Sequence, residues 1–289
     1  IAARLGDFLY RFGTKSYLTY SRRSFICQNI VPQKGFEMVS AQNEPSLQSE
    51  ADFKYLNMVE SVFENSGGLV SEKLDAFPKF ASRKAISRFL VRYEIFKKIQ
   101  NVHGSIIECG VMFGAGLFSF AHLSSIFEPV NHTRKIIGFD TFTGFPDISD
   151  KDQGERSSVA FKKGGYAGSS FENILDSVKL YDTNRALSHI PKVELIKGDI
   201  CITAKKYVED NPHLIIALLY LDMDIYEPSK AAIEAFLPRM PKGSIIVFDE
   251  LNYERCPGET KAASEMIGIN NLKLERFIFD PSMSYHVIT

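Results

Sequence analysis

The sequence predicts an α/β fold: a doubly wound, mostly parallel seven-stranded Rossmann-like sheet that ends in an antiparallel hairpin and follows an N-terminal helical extension. Three observations predict it. From residue 105 onward, short apolar and β-branched runs alternate with helix-like stretches, the pattern of parallel strands joined by right-handed crossovers. The first run opens into a glycine-rich turn and then a helix. The last two runs are separated by a turn too short for a crossover, so they pair as a hairpin.

Residues 1–104 contain no strong strand run and form the extension, as a lid or a dimer contact. Helices are predicted over 53–63 and 83–100; in the second, Ile86, Phe89, Leu90, Tyr93 and Phe96 recur at spacings of three and four. The polar stretch 42–50 reads as a loop or link. In the second domain, 105–289, strands are predicted over 105–109, 135–140, 193–197, 215–222 and 244–248. Their near-continuous apolar character is that of strands covered on both faces. Helices over 115–127, 171–181, 203–210, 229–237 and 260–267 connect them. Strands over 273–279 and 284–288, around the turn at Asp280-Pro281-Ser282, complete the sheet.

An apolar share of 45% supplies a sizeable core for 289 residues. A net charge of -1 without a long Lys or Arg run argues against a nucleic-acid partner. The four cysteines are scattered and form no CxxC pair, which points away from a disulfide framework or zinc site and toward a reducing cytoplasm. The most apolar stretch, 106–127, is interrupted by Glu108, three glycines and His122, so no membrane span is expected. Arg4, Asp7, Arg11 and Lys15 interrupt the first hydrophobics, so no secretory signal is expected either.

The glycine turn places Gly110, Gly114 and Gly116 after a buried strand, where they permit positive φ and close backbone approach. The spacing is Gly-x-x-x-Gly-x-Gly, not the Gly-x-Gly-x-x-Gly that seats a pyrophosphate on a helix N-terminus. S-adenosylmethionine brings only a carboxylate and a sulfonium, and fits the difference; a turn used only for packing is the alternative. Asp140 ends the second strand, where a carboxylate accepts from ribose hydroxyls. Asp199 ends the third, beside adenine or as a helix cap, and Glu108 is placed to orient the methionine end.

Asp222 and Asp224 follow the fourth strand, and Asp249 and Glu250 follow the fifth. Neighbouring strand ends bring these carboxylates together, which requires protons or a cation. All-oxygen ligation suits Mg²⁺, with Mn²⁺ or Ca²⁺ as alternatives. Asp222 and Asp224 share one side of an extended strand, so one is placed to ligate a metal and the other to meet a substrate hydroxyl. Ordinary loop acids, with Asp224 as a helix cap, are the bland reading.

Four segments together carry a family resemblance: Glu108-Cys109-Gly110-Val111, 140–146, 221–227 and 241–250. In that order they resemble the macrocin O-methyltransferase family, over roughly residues 85–289. The resemblance implies S-adenosylmethionine- and Mg²⁺-dependent methylation of a hydroxyl on a sugar or glycosylated natural product. It also implies a class I methyltransferase layout, Asp222, Asp249 and Glu250 as metal ligands, and Asp224 as the general base. Two departures stand out. The family usually has Asp-Asp where this chain has Asp249-Glu250, and often a Trp and an Arg where the turn here reads Val111-Met112-Phe113. Catechol-type enzymes place a Lys base three residues after the fourth-strand Asp; Ile225 stands there.

None of the six histidines has an acid two residues on, so the compact start of an iron triad, as a hydroxylase-labelled relative would use, is absent. Tyr166 lies on a loop after the second strand, and Tyr253 and Arg255 are placed to line an acceptor pocket. The expected protein is a homodimer or higher homo-oligomer acting on a small molecule. A nicotinamide-dependent oxidoreductase and a silent cofactor-binding module are the rival classes.

Overall fold

The computed structural model describes residues 49–153 and 161–289, all within one unit that runs Met38–Thr289. The predicted polar link at 42–50 therefore lies mostly outside the described residues. Helices α1 (Glu50–Asn65), α2 (Val70–Asp75) and α3 (Arg83–Ile99) precede the first strand. Ser49 caps α1 in a reciprocal box with Asp52, and Ser82 caps α3 by accepting from Ala85 N.

The alternating region then runs β1 (Ser105–Cys109), α4 (Ala115–Phe127), β2 (Ile136–Asp140), α5 (Phe171–Asp182), β3 (Val193–Lys197) and α6 (Ile200–Asp210). It continues through β4 (Ile216–Leu221), α7 (Tyr226–Phe236), β5 (Ile245–Phe248), α8 (Pro257–Met266), β6 (Glu275–Arg276) and β7 (Ser284–Val287). The sheet order is β3-β2-β1-β4-β5-β7-β6. The first five strands are parallel, and β7 runs antiparallel to both β5 and β6.

Every residue of β1, β4 and β5 is buried, which is why these strands read as unbroken apolar runs. Successive side chains go to opposite faces. Ile106, Leu218, Tyr220 and Val247 meet α3, α4 and α5 on one face, while Ile107, Leu219 and Ile246 meet α6, α7 and α8 on the other. Helix α3 supplies Val91, Ile95, Phe96 and Ile99 to the first cluster, each with no exposed surface. It is thus a layer of the sheet domain, although the sequence places it in an extension ending at 104.

Several boundaries differ from expectation. Helix α6 begins at Ile200 because Asp199 caps it, and α7 begins at Tyr226, whose N–H donates to Asp152 Oδ1 of a distant loop. The predicted strand 273–279 is reduced to Glu275–Arg276 at the sheet edge, where a short strand limits unwanted pairing. Phe277 instead stacks on Tyr285, with ring centres 5.3 Å apart. No helix among the described residues is long and apolar enough to cross a membrane.

Candidate active site

The strand order reverses between β1 and β4, so their carboxyl ends open onto the crevice where ligands of such sheets bind. The glycines of the β1–α4 turn are spatial necessities. Gly110 has φ +96°, and a Cβ there would lie 1.9 Å from the Asp222 carbonyl oxygen. Gly116 makes room for an acid, since a Cβ there would lie 1.6 Å from Glu108 Oε1. Gly114, at φ +82°, starts α4.

Asp140 ends β2, as expected, and its carboxylate organises that turn. Oδ2 accepts from Val111 N at 2.8 Å and Met112 N at 2.9 Å, and Oδ1 accepts from Phe142 N at 2.6 Å. A carboxylate offers about four acceptor sites, so little of Asp140 remains for ribose hydroxyls unless these bonds shift. Asp199 accepts from Cys201 N at 2.9 Å as the N-cap of α6. Glu108 is buried in β1, and burial pushes its carboxyl up to about 8 against the pull of Arg92.

The acids after β4 and β5 do converge. Leu221 pairs with Phe248, so Asp222 and Asp249 come next to each other, and Asp249 N donates to Leu221 O at 3.1 Å. Asp249 is buried; its Oδ2 lies 2.8 Å from Arg88 Nη2, and its Oδ1 accepts from Tyr220 OH at 3.1 Å. Asp224 takes a left-handed backbone, φ +62°, and its carboxyl feels the charge of Glu250. Asp222, Asp224 and Glu250 each keep some solvent-facing surface, although protein surrounds most of them. Burial, then Asp249, pushes Asp222 up to about 8. Burial and Glu250 push Asp224 well above the carboxylate range, and burial and Asp249 raise Glu250.

Four participants escaped the sequence reading. Glu259, fully buried in the first turn of α8, accepts from Glu250 N at 3.2 Å through Oε1. Its only sequence signal, an acid in a helix first turn, equally describes an ordinary dipole partner. Arg88 and Arg92 stand four apart on α3, so they share a face with each other, and that face is otherwise apolar at Val91 and Ile95. Two arginines in such a stripe were a legible signal of buried acid opposite. Asp152 ties its loop to the start of α7, and a Cβ on Gly258 would meet Asp152 Oδ1, Tyr226 N and Asp224 O. Tyr166 is a packed aromatic, its ring centre 5.3 Å from that of Phe145 and 5.9 Å from that of Phe161.

Among the described residues, no three His, Cys, Asp or Glu side chains already converge as a metal's ligands would. The donor set nevertheless suits a hard divalent cation. It is all oxygen, it holds more acid than Arg88 and Arg92 offset, and Glu250 Oε2 and Glu259 Oε2 are buried without hydrogen-bond partners among the described residues.

A parallel sheet with β7 inserted antiparallel between β5 and β6, bearing a glycine turn and acids at its carboxyl edge, defines the class: a Rossmann-like methyltransferase. The sequence model of the macrocin-O-methyltransferase (TylF) family matches residues 88–273. The chain belongs to this family and is an S-adenosylmethionine-dependent O-methyltransferase. The crystal structure of the calicheamicin methyltransferase CalS11 is similar at 32% identity and TM-score 0.79, covering 83% of this chain and 93% of that one. An apo structure of CalS11, described as a TDP-rhamnose 3'-O-methyltransferase, is 30% identical with TM-score 0.72, over 83% and 95% of the two chains. The O-methyltransferase NovP shares the fold at 19% identity and TM-score 0.52, over 71% and 80%. No protein of curated function matches the chain.

Proposed function

We propose that this enzyme moves a methyl group from S-adenosylmethionine to a hydroxyl of a sugar or glycosylated natural product, with a divalent cation in the acidic cluster. The observation that carries the reading is the convergence of Asp222, Asp224, Asp249 and Glu250 beside the glycine turn, with too little positive charge to balance them. The sugar acceptor is supported by the likeness to CalS11.

Asp222, Asp249 and Glu250 would hold the cation, Mg²⁺ first and Mn²⁺ or Ca²⁺ as alternatives; Arg88 would then share Asp249 or release it. A cation bound there supplies positive charge that eases ionisation of a nearby hydroxyl. The same positive charge would draw the raised Asp224 carboxyl back to its ionised form, and Asp224, partly exposed on a left-handed backbone, would then accept the hydroxyl proton as the acceptor oxygen meets the methyl carbon. Glu108, the turn glycines, Asp140 and Asp199 would hold the donor, and most of the acceleration comes from alignment. Helices α1 and α2 and the residue just before α2 expose Met58, Val62, Leu69, Val70 and Leu74, which supports their role as a lid or a contact between two copies.

The test is turnover of a nucleotide-sugar and glycoside panel with labelled donor, using wild type and Asp224→Asn. The variant should lose about 10²–10⁴-fold in kcat and still bind S-adenosylhomocysteine. Normal turnover by the variant removes the base, and normal turnover in excess chelator removes the cation.

A further inference from the structure

Asp224 is the middle residue of a γ-turn of the rare hand: its φ is +62°, and Ile225 N donates to Met223 O at 2.6 Å across it. Such a strained backbone persists only where the surroundings hold it. The turn runs straight into α7, whose N-cap position is Ile225, a side chain with no acceptor for the free N–H groups of the first turn. The acceptor comes instead from Asp152, 74 residues upstream. Its Oδ1 accepts from Tyr226 N at 2.5 Å, while Oδ2 accepts from Ser149 N at 2.8 Å and from Ser149 Oγ at 2.7 Å.

Asp152 is itself firmly held, and only 1% of it is exposed. Beside it, Lys151 Nζ pairs with Glu265 at 2.9 Å and lies 3.8 Å from the centre of the Tyr226 ring, and Lys261 Nζ donates to Lys151 O at 2.7 Å. Gly258 closes the other side. A Cβ there would lie 2.3 Å from Asp152 Oδ1, 2.6 Å from Tyr226 N and 3.0 Å from Asp224 O. The acid, the first N–H of α7 and the carbonyl of Asp224 therefore share one small space with no room for a methyl group. A helix cap alone needs neither that burial nor the glycine, since the N-cap side chain ordinarily supplies it.

We propose that Asp152 is a positioning residue: through Tyr226 N it fixes the γ-turn that presents the Asp224 carboxyl to the acceptor hydroxyl. The assignment rests on Asp224 as the base. Asp152 acts only through that turn, because its own oxygens are taken by Tyr226 and Ser149. The competing role is a helix cap alone, which serves stability and leaves the reaction untouched.

A double-mutant cycle on the full chain separates the two, with labelled donor and whichever nucleotide sugar or glycoside wild type methylates fastest. Asp152→Ala should lower kcat about 10- to 100-fold, as a displaced base would, while S-adenosylhomocysteine binding by calorimetry stays within about twofold. Added to Asp224→Asn, it should cost at most about threefold more, because no base is left to misplace. Gly258→Ala, which crowds the same three groups, should repeat the pattern and carries the test if Asp152→Ala does not fold. An unchanged kcat, losses that multiply in the double variant, or S-adenosylhomocysteine affinity lost in step with kcat overturns the assignment in favour of a cap alone. Normal turnover by Asp224→Asn, or a wild type that methylates no acceptor, overturns the base reading itself and this proposal with it.

Discussion

Nη2 of Arg88 lies 2.8 Å from Oδ2 of Asp249, so a helix ahead of the first strand neutralises the acid that follows the fifth. Asp249 is 2% exposed and Arg88 20%, which leaves Asp249 little water to fall back on. Breaking such a pair from one side costs about 3–5 kcal/mol, because a buried charge is left alone. Arg88→Met should lose stability of that order in urea unfolding with chelator present. Millimolar Mg²⁺ or Mn²⁺ should restore much of it by replacing the guanidinium. Equal losses with and without the ion would show that no cation reaches Asp249.

The raised carboxyls reverse the usual pH dependence. Asp222 and Glu108 titrate near 8 in the folded chain and near about 4 when unfolded. Between those values the folded state holds protons that the unfolded state has lost, so stability falls as pH rises through that window. Thermal unfolding of metal-free protein should show Tm decreasing from pH 5 to pH 8.5. A Tm that climbs over the same range would mean that both groups are ionised in the fold.

The turn glycines should fail differently. At Gly116 the obstacle is the far end of the Glu108 side chain, which can swing away. Gly116→Ala should fold with a loss of about 1–3 kcal/mol, as in overpacked cores, and bind S-adenosylhomocysteine weakly. At Gly110 the obstacle is the Asp222 backbone, and φ is +96°. Gly110→Ala should therefore destabilise the fold more than Gly116→Ala does in parallel melts. The reverse order would contradict the account given for both positions.

Burial pushes the Glu259 carboxyl well above its ordinary range, which favours the protonated form. Gln has the shape of a protonated Glu and keeps the bond to Glu250 N. Glu259→Gln should lie within about 1 kcal/mol of wild type, whereas Glu259→Ala should lose about 2–4 kcal/mol through the cavity and the orphaned N–H. Chemical denaturation at pH 7 compares them, and a Gln variant as damaged as the Ala variant would show that the charge is needed.

Local physics made much of this protein legible before any tertiary contact was known. Near-continuous apolar runs, alternating with stretches of three-to-four spacing, placed all seven strands, and α4 came out at Ala115–Phe127 as expected. Strand ends and turn chemistry also put Glu108, Asp140, Asp222 and Asp249 on one edge of the sheet, because a parallel sheet aligns its carboxyl ends.

What those acids meet was decided only by the fold. Asp140 binds the backbone of the glycine turn, and Asp199 closes a helix. Helix α3 joins the sheet and brings Arg88 to an acid 161 positions away and Arg92 to the side of Glu108. Periodicity reports which face of an element is buried, since that depends on near neighbours. It does not report which distant charge that face will meet, and burial turns that meeting into pKa shifts, ion pairs and a binding site.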